Sequence, residues 1–107
     1  MDYSQLHDAQ INMMVCKALG LELSSYARII KQDDSTILLS DNKTLVDYCN
    51  NPADAYPVIH SNGISIGIYG YGEWGAGAIN HTYIDGVNPL RAAMIVFLML
   101  RASRNAK

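Results

Sequence analysis

Asn88-Pro89-Leu90-Arg91-Ala92-Ala93-Met94-Ile95-Val96-Phe97-Leu98-Met99-Leu100 is the stretch that decides the fold. An asparagine side chain accepts bonds from the free amides at a helix start, and proline suits the first helical position, where no amide partner is needed. The helix they open is apolar on nearly every side from Ala92 to Leu100. Having no polar stripe to turn toward water, it must be covered on most faces. It is therefore expected to be the central core element, packed across a sheet. Arg101, Arg104 and Lys107 follow at its negative end, where cations favour the dipole. The nine apolar residues from Ala92 to Leu100 are about half of what a bilayer crossing requires.

Upstream of this helix the periodicity changes to two. Ile64, Ile66 and Ile68 fall on one face and Ser65, Gly67 and Tyr69 on the other, which predicts a half-buried strand. Five glycines lie from Gly67 to Gly77, and Trp74, Ala76 and Ala78 alternate after them, so the pattern predicts a hairpin to a second strand. His81 to Asp85 is expected to form a third, short strand, with Asp85-Gly86 as its exit. Asn51-Pro52-Ala53-Asp54 repeats the cap-and-proline device and opens a short helix over about 52–61, which Asn62-Gly63 closes. Pro57 is expected early in it, where a missing amide costs least.

Nearer the amino terminus, Ser4 is expected to cap a first helix that Gly20 ends. Ile11, Met14, Val15, Ala18 and Leu19 recur there at helical spacing, with Gln10, Asn12 and Lys17 elsewhere on the wheel. Tyr26 to Lys31 and Thr36 to Leu39 read as paired strands around the polar turn at 32–35, and residues 40–51 as a loop. The result is an α+β fold, one small domain over residues 1–107, in the order α-ββ-α-βββ-α, with an antiparallel sheet packed by the buried C-terminal helix.

Half of the 107 residues are hydrophobic and 17% are charged, a composition that excludes a disordered chain. Eight basic residues oppose ten acidic ones and neither half carries a basic stripe, so a general nucleic-acid binder is disfavoured. The start lacks the basic and apolar regions of a signal peptide, and a soluble cytoplasmic protein is expected. Cys16 and Cys49 lie 33 residues apart with no C-x-x-C and no histidine at ligand spacing. They read as two reduced, partly buried thiols, with no metal site and no cofactor indicated.

Two glycine motifs look chemical. Gly63-Ile64-Ser65-Ile66-Gly67 has the letters of the hydrolase nucleophile elbow, but its serine lies inside the alternating run with no helix after it. Gly70-Tyr71-Gly72-Glu73-Trp74-Gly75 has the letters of a dinucleotide fingerprint, yet Ala76-Gly77-Ala78-Ile79 is too glycine-rich to open the helix a pyrophosphate needs. The sequence therefore assigns no catalytic residue. His7, His60 and His81 could meet only through folding, and His81 with Glu73 or Asp85 would form an acid–base pair only if the fold brought them together. The aromatic cluster of Tyr69, Tyr71, Trp74 and Tyr83 offers a low-entropy contact surface if the isoleucines face inward, and otherwise packs on the 40–51 loop.

Three stretches resemble the phage NinX family of small lambdoid phage and prophage proteins. They are Met1-Asp2-Tyr3-Ser4-Gln5-Leu6 with Ile11-Asn12 and Ala18-Leu19-Gly20, then residues 48–59 (Tyr48-Cys49-Asn50-Asn51-Pro52-Ala53-Asp54-Ala55-Tyr56-Pro57-Val58-Ile59), then residues 88–98. Tyr56 stands where the family is expected to have tryptophan. The resemblance implies phage origin and residence in the host cytoplasm, and it transfers no catalytic residue. Most of these residues have capping or packing explanations, with Ala55, Tyr56, Val58 and Ile59 expected beneath the core helix. Function is thereby left to the remaining surface.

Two functions follow as expectations. The first is a non-enzymatic interaction protein, including self-association, that binds a host or phage protein through Tyr69, Tyr71, Glu73 and Trp74. The second is a small-ligand or nucleic-acid module, since residues 52–103 follow the α-βββ-α order of double-stranded-RNA-binding domains. Those domains grip phosphates with a lysine cluster at the start of the last helix, where this chain has Arg91 alone.

Overall fold

A computed structural model describes residues 3–24, 36–69, 73–78, 84–85 and 88–105. In chain order, a 3-10 turn (Tyr3–Gln5) leads into α1 (Asp8–Ala18) and then β1 (Ile37–Leu38) and β2 (Leu45–Val46). They are followed by α2 (Pro52–Ser61), β3 (Ile64–Tyr69), β4 (Glu73–Ala78), β5 (Ile84–Asp85) and α3 (Pro89–Asn105). The described residues form three α-helices and two antiparallel sheets, one of two strands and one in the order β3-β4-β5, an α+β domain as the periodicities predict.

Helix α3 is the hub. Every residue from Ala92 to Leu98 is buried, Leu100 as well, and Met94 and Phe97 have no exposure at all. Such a helix needs neighbours on all sides, and α3 touches α1, α2 and all three strands of the larger sheet. Helix α2 matches its predicted limits. The Asn51 Oδ1 accepts from the Ala53 amide at 3.0 Å, Pro52 takes the first position, and Gly63 turns the chain away at φ +63°. Pro57 is the sixth residue rather than an early one, so it removes a bond to the Ala53 carbonyl. Tyr56 corrects another expectation. It is 64% exposed, while Ala55 and Val58 are the residues buried beneath α3.

The first helix begins later than expected. Ser4 lies in the 3-10 turn, and α1 starts at Asp8 with His7 as its N-cap, the Gln10 carboxamide oxygen accepting from the His7 amide at 2.8 Å. Gly20 ends it in the left-handed region at φ +78°, with the Leu21 amide reaching back to the Cys16 carbonyl at 2.9 Å.

The region read as a 40–51 loop contains β2, which pairs Leu45 with Leu38 and Val46 with Ile37. Asp41 makes this hairpin possible, because its Oδ1 accepts from the Lys43 and Thr44 amides at 2.9 and 2.8 Å while Asn42 adopts φ +59°. On its other side Leu39 bridges Leu23. The expected strand at Tyr26 to Lys31 lies outside the described residues, as do residues 81–83 of the expected third strand, of which β5 is described.

In the larger sheet β3 runs against β4 in register from Ile64 opposite Ala78 to Tyr69 opposite Glu73, so the predicted hairpin forms. Ile64 is buried and Ser65 exposed, matching the period-two reading. Phe97→Ala removes a fully buried ring from the helix that touches α1, α2 and the larger sheet. Denaturant melts should show a loss of about 3–5 kcal/mol, and a loss below about 1 kcal/mol would mark the helix as peripheral.

Candidate functional site

Polar chemistry concentrates where the turn at 47–51 meets the starts of three helices. The Asn88 Oδ1 caps α3 by accepting from the Leu90 and Arg91 amides at 3.0 and 3.3 Å. Its Nδ2 donates to the Cys49 carbonyl at 2.6 Å and to the Asn50 Oδ1 at 3.0 Å. The Asn50 Nδ2 in turn donates to Asp8, the first residue of α1, at 3.1 Å and to both Asp47 oxygens at 3.2 Å. Asn51, next in the turn, caps α2. Arg91 closes the cluster, its guanidinium donating to the Asp8 Oδ1 at 2.6 Å and to the carbonyls of Leu6 and Tyr3 at 2.6 and 3.2 Å.

Asn12 corrects its assignment to the polar side of α1. It is 0% exposed, donating to the Asp47 Oδ1 at 2.8 Å and accepting the Cys49 amide at 3.1 Å. A buried carboxamide is tolerated when both ends are bonded, and here they are. No sequence signal pairs the groups that meet across this junction, because the bonds between its segments join residues 35 to 88 positions apart.

Both cysteines are free, and both are fully buried where the sequence predicts partial burial. Burial pushes the Cys49 thiol up to about 12, with the Asp8 carboxylate adding to the effect. Burial likewise raises Cys16 to about 11 and Tyr48 to about 12, and the Tyr48 hydroxyl hydrogen-bonds to the Cys16 sulfur. Protonated thiols of this kind are poor nucleophiles.

The sequence-designated contact residues sit elsewhere. Tyr69 ends β3 directly opposite Glu73, the first residue of β4, and Ile68 is the partner of Trp74. Tyr71 lies outside the described residues. Between these ends the register pairs Gly67 with Gly75 and Ile66 with the fully buried Ala76. Ser65 lies within β3 paired with Gly77, so the G-x-S-x-G letters do not form a strand-to-helix elbow. Gly75 is paired within β4, and no helix follows it there. His7 stands at the α1 N-cap, His60 lies 5.8 Å centroid to centroid from the Tyr56 ring, and His81 is outside the described residues, as is any meeting of it with Glu73 and Asp85. Among the described residues no group of three His, Cys, Asp or Glu could hold a metal ion, and no helix is long and apolar enough to cross a membrane.

The fold is therefore an α+β domain whose buried last helix is tied by its cap to the starts of the other two. A family model described as Bacteriophage P22, NinX matches residues 2–101, and the chain belongs to this phage NinX family. Membership suggests a phage accessory protein. No curated protein and no solved structure matches the chain.

Two predictions follow from the cluster. Arg91→Ala removes the guanidinium that donates to the Asp8 Oδ1 and to two carbonyls and should cost roughly 2–3 kcal/mol in denaturant melts, with Arg91→Lys restoring only part because one ammonium cannot match the planar fork. The thiols supply a pH dependence. Their ordinary value is 9.0 and their folded values are about 11 and about 12, so the folded state keeps protons the unfolded chain releases. Their stabilisation is complete below about pH 9 and declines as pH rises through 11 to 12, which urea melts across that window should record.

Proposed function

We propose that the chain is a non-enzymatic interaction module that acts in the host cytoplasm and binds a host or phage protein, or a second copy of itself, through the surface from Tyr69 to Trp74. One observation carries this reading. The polar and nucleophilic groups gathered at the helix starts are bonded to one another or buried in protonated form, whereas the β3–β4 register sets Tyr69 opposite Glu73 at the end of the longest strand pair. Tyr71 lies between them in the chain, and large aromatic side chains are the usual anchors of protein contacts.

The nucleic-acid alternative loses support at Arg91. The one basic residue at the start of α3 is held by Asp8, Leu6 and Tyr3, and a guanidinium so engaged is not free to grip a phosphate.

The test separates binding from folding. Tyr69→Ala, Tyr71→Ala and Glu73→Ala should leave the melting temperature within a degree or so of wild type, and each aromatic change should weaken the interaction by about thirtyfold, the equivalent of about 2 kcal/mol. Affinity capture from infected cells followed by mass spectrometry, with light scattering for self-association, reads the loss. Equal recovery of the same partners by all three variants would rule the surface out. Trp74→Ala is made in parallel; unfolding of that variant alone would assign Trp74 to the core and leave the contact to Tyr69, Tyr71 and Glu73. Serine-directed fluorophosphonate probes should leave Ser65 unlabelled, and stoichiometric labelling would overturn the non-enzymatic reading.

A further inference from the structure

A groove of about 350 Å³ runs between the end of α1 and the length of α2. Small-molecule sites begin at roughly this size, about 300 Å³. Leu19, Pro57 and Val58 give it apolar walls, Tyr48 and Asp54 line it as well, Ser61 and Asn62 add polar lining at the end of α2, and Ala53 stands exposed at its edge. Tyr48 is satisfied through Cys16. Asp54 differs from it. Its Oδ2 accepts the Asp47 amide at 2.9 Å, which holds the carboxylate in place, and no basic side chain lines the groove among the described residues. The α2 amino terminus supplies only about half a positive charge to offset it. The Asp54 field is felt by its neighbours, adding to the burial that raises both Cys16 and Tyr48.

A fixed carboxylate among apolar walls is complementary to a cation on an apolar body. The charged donors gain short, charge-assisted bonds and the body covers the walls. A planar fork such as guanidinium or amidinium matches a carboxylate in two places, which a point charge does not. We propose that this groove binds a small organic cation, a planar amidinium or guanidinium group on an apolar body, with Asp54 as its counter-ion. The volume suits one ring and its head group rather than an extended polypeptide segment. The site is independent of the Tyr69 to Trp74 surface, since none of its lining residues comes from β3 or β4.

Benzamidine is a suitable probe and benzamide its neutral control. Titrated into the full chain labelled with nitrogen-15, benzamidine at millimolar concentration should shift the amide signals of Leu19, Tyr48, Ala53 and Asn62, and benzamide should not. Added salt should weaken the response, as expected for a partly exposed ion pair. Asp54→Asn keeps an acceptor for the Asp47 amide but removes the charge, and should lower affinity about tenfold or more. Ala53→Leu narrows the mouth from an exposed helix position while leaving the carboxylate, and should weaken binding similarly. Equal binding of benzamide, unchanged affinity in either variant, or no shifts with benzamidine would overturn the proposal. Tighter binding by acetyl-Leu-Arg-Leu amide than by benzamidine would overturn the small-molecule source. If Asp54→Asn fails to fold, the benzamide control and Ala53→Leu decide the matter alone.

Discussion

Three helices begin at one turn, and the structure depends on making that junction tolerable. Each helix start carries unsatisfied amides and about half a positive charge, so gathering three of them invites both desolvation and repulsion. Residues 47–51 answer both. Asn51 and Asn88 cap α2 and α3 directly, while Asp8 at the start of α1 and Asp54 in the first turn of α2 place carboxylates where the helix ends are positive. Asp47 adds a third carboxylate, shared between Asn12 and Asn50. Arg91, projecting from the first turn of α3, then offsets the acids and binds the chain that precedes α1 through the Tyr3 and Leu6 carbonyls.

The junction also sets how the apolar parts meet. Helix α3 would accept many apolar neighbours, since its buried side is nearly its whole circumference, and hydrophobic burial is not directional. Asn12 is directional. With its carboxamide bonded to Asp47 on one side and to the Cys49 amide on the other, α1 has one rotation and one height at which the bonds form. Slipping it would cost the buried carboxamide its bonds to Asp47 and to the Cys49 amide, at about 1–3 kcal/mol for a buried polar group that loses its partner. Polar bonds thus select the arrangement, and the buried apolar side chains around α3 supply most of the stability.

The residues that resemble the NinX family most closely belong to this same junction. Cys49, Asn50, Asn51, Asp54, Asn88 and Arg91 are engaged in caps, turns and an ion pair inside the domain. A family signature made of such residues reports the fold that members share. Residues that the fold does not use for its own bonds are then where contact chemistry is to be sought, while Asp54 stands in both groups, held by the Asp47 amide and lining the α1–α2 groove.

Local signals were legible in the sequence. Asn-Pro at 51 and 88, glycines at 20 and 63, the isoleucine alternation and the all-round apolar run each specify a backbone state from within a few residues, and the helices and hairpin they predict are present. The start of α1 was misread because Ser4 resembles a cap while the bond that orders the start comes from Gln10. β2 was missed because two residues are too few to show a period, and the Asp41 side chain that folds its turn acts through a local bond no pattern displays. Of the candidate surfaces, the aromatic stretch was visible as composition, and the pairing of Tyr69 with Glu73 came only with the register. Burial of Asn12, exposure of Tyr56, the Asp8–Arg91 pair and the groove beside Asp54 were decided by tertiary structure alone. Each depends on which distant backbone arrives alongside, and a one-dimensional period carries no information about that.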